Sequence, residues 1–267
     1  VSLSGDGGDE LLGGYNRYFK THQWWGKINV IPKSVRMLLS KGLLSISPEI
    51  WDRTGFVATG VSSNNISKLA GVLSVPDDIS LYRHFTTHWD NPAALVIDGH
   101  EGRTEGNDPS IELNSMVEQM MALDTLTYLP DDILTKVDRA AMGVSLETRI
   151  PMLDHRVVEF VWKLPLPMKI CHNQGKWILR QLLYQYVPKE LIERPKMGFG
   201  VPIDSWLRGP LRDWAENLLD ESRLRQEGYF YPQPIRKKCE EHILGRRNWQ
   251  YHLWDVLMFQ SWLEAQS

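Results

Sequence analysis

A strand-like start followed by helix after helix is the pattern that most limits what this chain can fold into. A short apolar-alternating run at residues 1–3 leads into SGDGGDELLGG (residues 4–14), and beyond it nearly every periodic segment carries apolar residues three and four apart. Leu211, Trp214 and Leu218 follow Pro210 in a first turn, and Leu253, Trp254, Leu257, Met258 and Trp262 mark another helix. Asp154 is placed to cap a helix through Val157, Val158 and Val161 that Pro165 ends. Ile178, Leu179, Leu182 and Leu183 predict a helix over residues 175–186, stopped by Pro188. Within residues 110–147, two helices are expected to join at YLPDD, Pro130 breaking the first and Asp131 or Asp132 capping the second. Strand character is confined to the first residues. The expectation is therefore a mainly α chain, cut at a strand, with most of any parallel sheet upstream of Val1.

Composition narrows the function classes. The chain has 267 residues, ample for a hydrophobic core. Its net charge of −3 gives no electrostatic reason to bind nucleic acid. No apolar stretch approaches the roughly 20 residues that span a bilayer, so membrane insertion is not expected. Cys171 and Cys239 lie far apart without C-x-x-C spacing, which argues against a zinc site or a disulfide framework and for inert packing in a reducing cytoplasm. The 11 tryptophans, at helical spacing, read as core or interface mass. His84 and His88 stand four apart but lack the glutamate of a zinc-protease motif. Arg236, Lys237, Lys238, Arg246 and Arg247 read as a solvated basic face, and residues 98–110 as a mobile surface loop.

The loop at residues 4–14 is where chemistry concentrates. Gly5, Gly7 and Gly8 allow a tight turn whose N–H groups converge, the way a phosphate nest is built. Asp6, Asp9 and Glu10 would repel that phosphate, and Mg²⁺ resolves the conflict, because it takes one or two carboxylates and completes its shell with phosphate oxygens and water. The residues alone leave a plain strand-to-helix turn with Asp caps equally open. Further along, Lys136, Asp138, Arg139, Glu147, Arg149, Asp154, His155 and Arg156 put more charge around an apolar helix than an exposed face needs. Gly175 and Lys176 open the GKWILRQLL segment. Lys196 precedes Gly198 and Gly200, so a lysine sits at the mouth of a flexible loop, where its charge can swing onto a phosphate or an oxyanion.

LSGDGGDELLGGY, DRAAMGVSLETRIPMLDHR and RPKMGFGVPI, in this order and spacing, resemble the synthetase domain of glutamine-dependent asparagine synthetases, and the resemblance covers most of the chain. It implies a mainly α fold: the helical C-terminal portion of an α/β adenine-nucleotide-hydrolase-like, ATP-pyrophosphatase domain, with at most a short strand remnant at the N-terminus. The whole of residues 1–267 would be one N-terminally truncated synthetase domain, residues 1–20 ending the nucleotide-binding core and 21–267 forming the helical part. The implied reaction activates aspartate with ATP and Mg²⁺ as a β-aspartyl-adenylate, which ammonia released from glutamine attacks. The family's S-G-G-x-D-S pyrophosphate loop and its glutaminase domain would lie upstream, and neither that loop nor an N-terminal nucleophilic cysteine occurs in this sequence.

Carried over by motif, Ser4 and Gly5 line the AMP side of the pocket, Gly7 joins them in holding nucleotide, and Asp9 holds Mg²⁺ on the pyrophosphate. Asp6 stands where the family has a glutamate that handles the incoming amine, and its shorter carboxylate puts that role in question. Lys196 matches the lysine that stabilises charge at the adenylating centre. Arg149 and Asp154 read as structural or pocket-wall residues. A homodimer is compatible with the resemblance. Two further readings stay open: a specialised amidotransferase acting on another carboxylate, such as a polysaccharide sugar acid, and a non-catalytic helical interaction module. Without the upstream loop, the chain alone is expected to have little or no activity.

Overall fold

The computed structural model of the chain describes residues 1–46, 63–89, 91–100, 113, 115–193 and 200–266. Helices dominate, and the named strands among the described residues are only two residues long each. The expected mainly α architecture is the one observed. Among the described residues, no helix is long and apolar enough to cross a membrane.

Strand β1 (Ser2–Leu3) pairs in parallel with β2 (Thr148–Arg149), Ser2 opposite Thr148 and Leu3 opposite Arg149. Sequence reading finds the first strand and misses the second, because ETR carries no apolar alternation and is held by pairing alone. Strands β3 (Ile170–Cys171) and β4 (Gln174–Gly175) form an antiparallel hairpin. Its two-residue turn, His172 and Asn173, has positive φ at both positions (50° and 60°), as a type I′ turn requires.

The chain divides into two compact units. The first comprises Val1–Ile46, Leu69–Arg83 and Arg103–Pro195. Its helices Asn16–Ile28 and Met116–Leu126 bury Tyr18, Val117, Met120 and Met121 together with Tyr82. Ile28, Val72, Leu73, Val75 and Leu81 form a second cluster. In a third, Leu11 and Leu12 meet Val161 of the helix His155–Lys163, with Val157, Val158, Ile178 and Leu179 packed around them. Asp154 caps that helix as expected, its carboxylate accepting from the Arg156 N–H at 2.9 Å.

The second unit comprises Ser47–Lys68, His84–Gly102 and Lys196–Ser267. Leu207, Leu218, Leu219, Leu224, Ile235, Leu253 and Leu257 make its core, and Trp89, Trp214, Trp249 and Trp254 pack against it. Those tryptophans are the apolar mass expected of them, whereas Trp24, Trp206 and Trp262 lie exposed. His88 is bonded to Asp255, Nδ1 to Oδ2 at 3.0 Å.

Three helix boundaries differ from the sequence expectation, each for a local reason. The helix Met116–Leu126 does end ahead of Pro130, but the next segment starts as a π turn over Leu129–Leu134 that runs on into the helix Thr135–Met142, and no aspartate caps it. Pro130 sits in the first turn of that segment, where its missing N–H costs no ladder bond. The helix expected from residue 175 begins at Trp177, because Gly175 is committed to the hairpin. The helix after Pro210 is Arg212–Leu218, preceded by a turn through Leu211.

Candidate functional site

The acidic glycine loop leaves β1 and folds on itself. The Ser4 hydroxyl donates to the Asp6 carboxylate, which holds the side chain of Asp6 against the turn. Gly7 adopts φ 79°, and a Cβ there would strike Leu153. The short helix Gly8–Leu11 follows, with Asp9 and Glu10 in its first turn. Gly13, at φ 64°, ends it, and the Ile170 side chain occupies the space a Cβ at Gly13 would need. The Gly14 N–H closes the loop on the Asp9 carbonyl at 2.8 Å.

The hairpin delivers a lysine to this loop. Gly175 lies so close to the Gly13 carbonyl that no side chain fits between them. The Lys176 N–H donates to the Leu12 carbonyl at 2.8 Å, and Lys176 takes a left-handed backbone, φ 58°, unusual for a residue with a Cβ. Its ammonium lies 2.8 Å from Asp9 Oδ2 and 3.9 Å from the point a Cβ on Gly8 would occupy. Both side chains of the pair are about a quarter exposed, so the cation stands over the loop at a solvent-accessible rim.

Behind the rim lies a buried polar network. Asp124, on the helix Met116–Leu126, accepts from Arg17 Nη2 at 2.6 Å, from the Tyr18 hydroxyl at 2.6 Å and from the Tyr82 hydroxyl. The Arg17 guanidinium lies 4.3 Å from the Tyr15 ring centroid and 4.6 Å from that of Tyr128. The Tyr15 hydroxyl donates to buried Glu10 at 2.6 Å. Burial pushes the Glu10 carboxyl above its usual pKa, with the charges of Asp9 and Asp124 adding to the rise and the Tyr15 bond opposing it. Burial likewise raises the phenols of Tyr15, Tyr18 and Tyr82. The network keeps its tyrosines neutral and fixes the chain immediately after the loop.

The structure brings Ser4, Gly5, Asp6, Gly7 and Asp9 together in one turn. Lys196 and Gly198 lie outside the described residues, as does the stretch 101–110 of the expected surface loop. Arg149 pairs with Glu147 at 2.5 Å beside β1. Hydrogen bonds from Arg156 hold the Asp154 carboxyl well below the usual carboxylate range. Sequence reasoning noted Lys176 only as a helix start, and its pairing with Asp9 has no local signal. Arg17 and Asp124 carry none either, being 107 positions apart.

Among the described residues, no three His, Cys, Asp or Glu side chains converge on a point where a metal could sit. Mg²⁺ at Asp9 would share that carboxylate with the Lys176 ammonium, 2.8 Å away.

Known proteins are similar to this sequence. Asparagine synthetase [glutamine-hydrolyzing] 1 of Bacillus subtilis is 28% identical over 262 residues, covering 98% of this chain and 40% of its own length. A putative asparagine synthetase [glutamine-hydrolyzing] of Mycobacterium bovis is 30% identical over 280 residues, 98% of this chain and 39% of its own. The mouse asparagine synthetase [glutamine-hydrolyzing] is 32% identical over 154 residues, half of this chain and 26% of its own length. The chain thus spans about two fifths of the first two relatives. No solved structure matches it significantly. The sequence model of asparagine synthase matches residues 1–264, nearly the whole chain, and the chain belongs to the asparagine synthase family.

Proposed function

We propose that this chain is the helical part of an ATP-dependent amide-forming ligase that makes asparagine from aspartate through a β-aspartyl-adenylate, with ammonia drawn from glutamine. The observation that carries the reading is the Lys176 ammonium, 2.8 Å from Asp9 and above Gly8 in the acidic glycine loop. Adenylate formation needs the charge of the departing pyrophosphate neutralised in a fixed geometry more than it needs a covalent nucleophile. A cation already aimed at the loop supplies that, and its partner Asp9 is the one carboxylate assigned to Mg²⁺, whose contribution when bound is further charge neutralisation. Ser4, Gly5 and Gly7 would line the nucleotide side of the turn, Asp6 would face the amine, and Lys196 would bring a second cation.

The rest of the reaction is assigned to other parts of the same polypeptide: the pyrophosphate loop and the glutaminase domain. The 267 residues alone are assigned little activity. The test is ATP–pyrophosphate exchange on the full-length polypeptide, with aspartate against a panel of other carboxylates. Exchange with aspartate, lowered at least tenfold by Lys176→Ala and by Lys196→Ala, supports asparagine synthesis. Exchange only with a sugar acid reassigns the enzyme to another acceptor, and none with any carboxylate overturns the reading.

A further inference from the structure

Lys169 ends the short helix Leu166–Lys169 and is fully buried. Among the described residues its ammonium has no hydrogen-bond acceptor. The Glu118 carboxylate comes no nearer than 3.8 Å, and the Trp162 ring centroid lies 4.7 Å away. Burial pushes its pKa down, with Glu118 opposing. An aliphatic residue would fill such a place without desolvating a charge, so the lysine is a poor choice for stability alone. What a buried cation adds is direction: it must lie against its carboxylate and its ring face, and the backbone that follows is fixed with it.

The backbone that follows is the hairpin. Ile170, the next residue, fills the space beside Gly13 and pairs with Gly175. Gly175 rests on the Gly13 carbonyl, and Lys176 bonds to Leu12 before reaching Asp9. The hairpin is therefore held against the loop through its glycine contacts and against the helix Met116–Leu126 through Lys169. We propose that Lys169, seated between Glu118 and Trp162, is a positioning residue that fixes the hairpin so that the Lys176 ammonium stays on Asp9. Its importance for catalysis rests on the reading of Asp9 and Lys176 as the phosphate-handling pair.

Amide hydrogen exchange by NMR on the 267-residue chain tests it without any ligand. Lys169→Met removes the charge at similar volume, and Glu118→Gln removes its partner at unchanged shape. Each variant should speed exchange of the Lys176 amide at least tenfold while leaving the Met120 and Met121 amides within twofold of wild type. An unchanged Lys176 amide overturns the proposal, and so does uniform acceleration of all amides, which is what a residue supporting the fold alone would produce. Inorganic pyrophosphate binding, measured by calorimetry on the full-length polypeptide with and without Lys176→Ala, tests the underlying reading separately. If wild type binds none, that reading fails while the exchange result still decides the role of Lys169.

Discussion

Gly175 has no room for a side chain because a Cβ there would fall on the Gly13 carbonyl oxygen, which is backbone and cannot swing aside. Gly26, in the last turn of the helix Asn16–Ile28, has nothing within 4 Å of the same point. The two glycines should therefore respond to alanine in opposite directions. Gly175→Ala is expected to destabilise the chain by about 1–3 kcal/mol, the usual cost of overpacking. Gly26→Ala is expected to stabilise it by about 0.5–1 kcal/mol, because alanine loses less backbone entropy in a helix. Urea unfolding of both variants, followed by circular dichroism, checks the signs. The same contact explains why Lys176 tolerates a left-handed backbone: its N–H is already committed to Leu12, and the glycine before it lets the two chains touch.

Among the elements, those with chemical punctuation at their ends were legible in the sequence and those held by partners were not. Asp154 reads as a cap and is one, and the helix His155–Lys163 stops short of Pro165 as expected. Asp220 works in the same way, its Oδ1 accepting from the N–H groups of Ser222 at 3.0 Å and Arg223 at 3.1 Å, while Gly228 at φ 77° closes the helix Glu221–Glu227. Asp220→Ala should cost about 1 kcal/mol in urea unfolding, and Asp220→Asn much less, since the amide oxygen can still accept. By contrast, β2 exists because Ser2 and Ser4 donate to Glu147 and Arg149, contacts that no window around residue 148 contains. The π turn at Leu129–Leu134 shows the same limit, since a proline marks where a helical segment starts but not that its first turn widens. Of the site, the glycine and carboxylate loop could be read directly, whereas the arrival of Lys176 and the Asp124 network required the fold. One helix, Met116–Leu126, touches both, its Glu118 facing Lys169 just before the hairpin and its Asp124 holding the chain after the loop. A local pattern cannot announce a jig of that kind.

On the scale of the whole chain, a net charge of −3 leaves stability without a large self-repulsion term, so its pH dependence reduces to particular groups. His242 in the second unit is one of them. It is fully buried, and its Nδ1 accepts the Trp249 N–H at 3.1 Å, which assigns the ring proton to Nε2, facing Asp204 Oδ1 at 3.7 Å. Burial and the neighbouring Arg208 push its pKa below 6.5, with Asp204 opposing. A depressed folded-state value means that the unfolded chain takes up a proton first. The stability contribution is therefore complete above pH 6.5 and is lost as pH falls toward the lowered value. His88 acts in the other sense: its bond to Asp255 raises its pKa, so its contribution is full at low pH and lost as pH rises. That pair is nearly half exposed and solvent screens it, so the buried histidine should dominate. The chain should unfold at lower urea at pH 5.5 than at pH 7.5. His242→Gln, whose amide oxygen can still accept from Trp249, should shrink that difference even if it lowers stability at both pH values. A variant that keeps the full difference would move the acid sensitivity to another group.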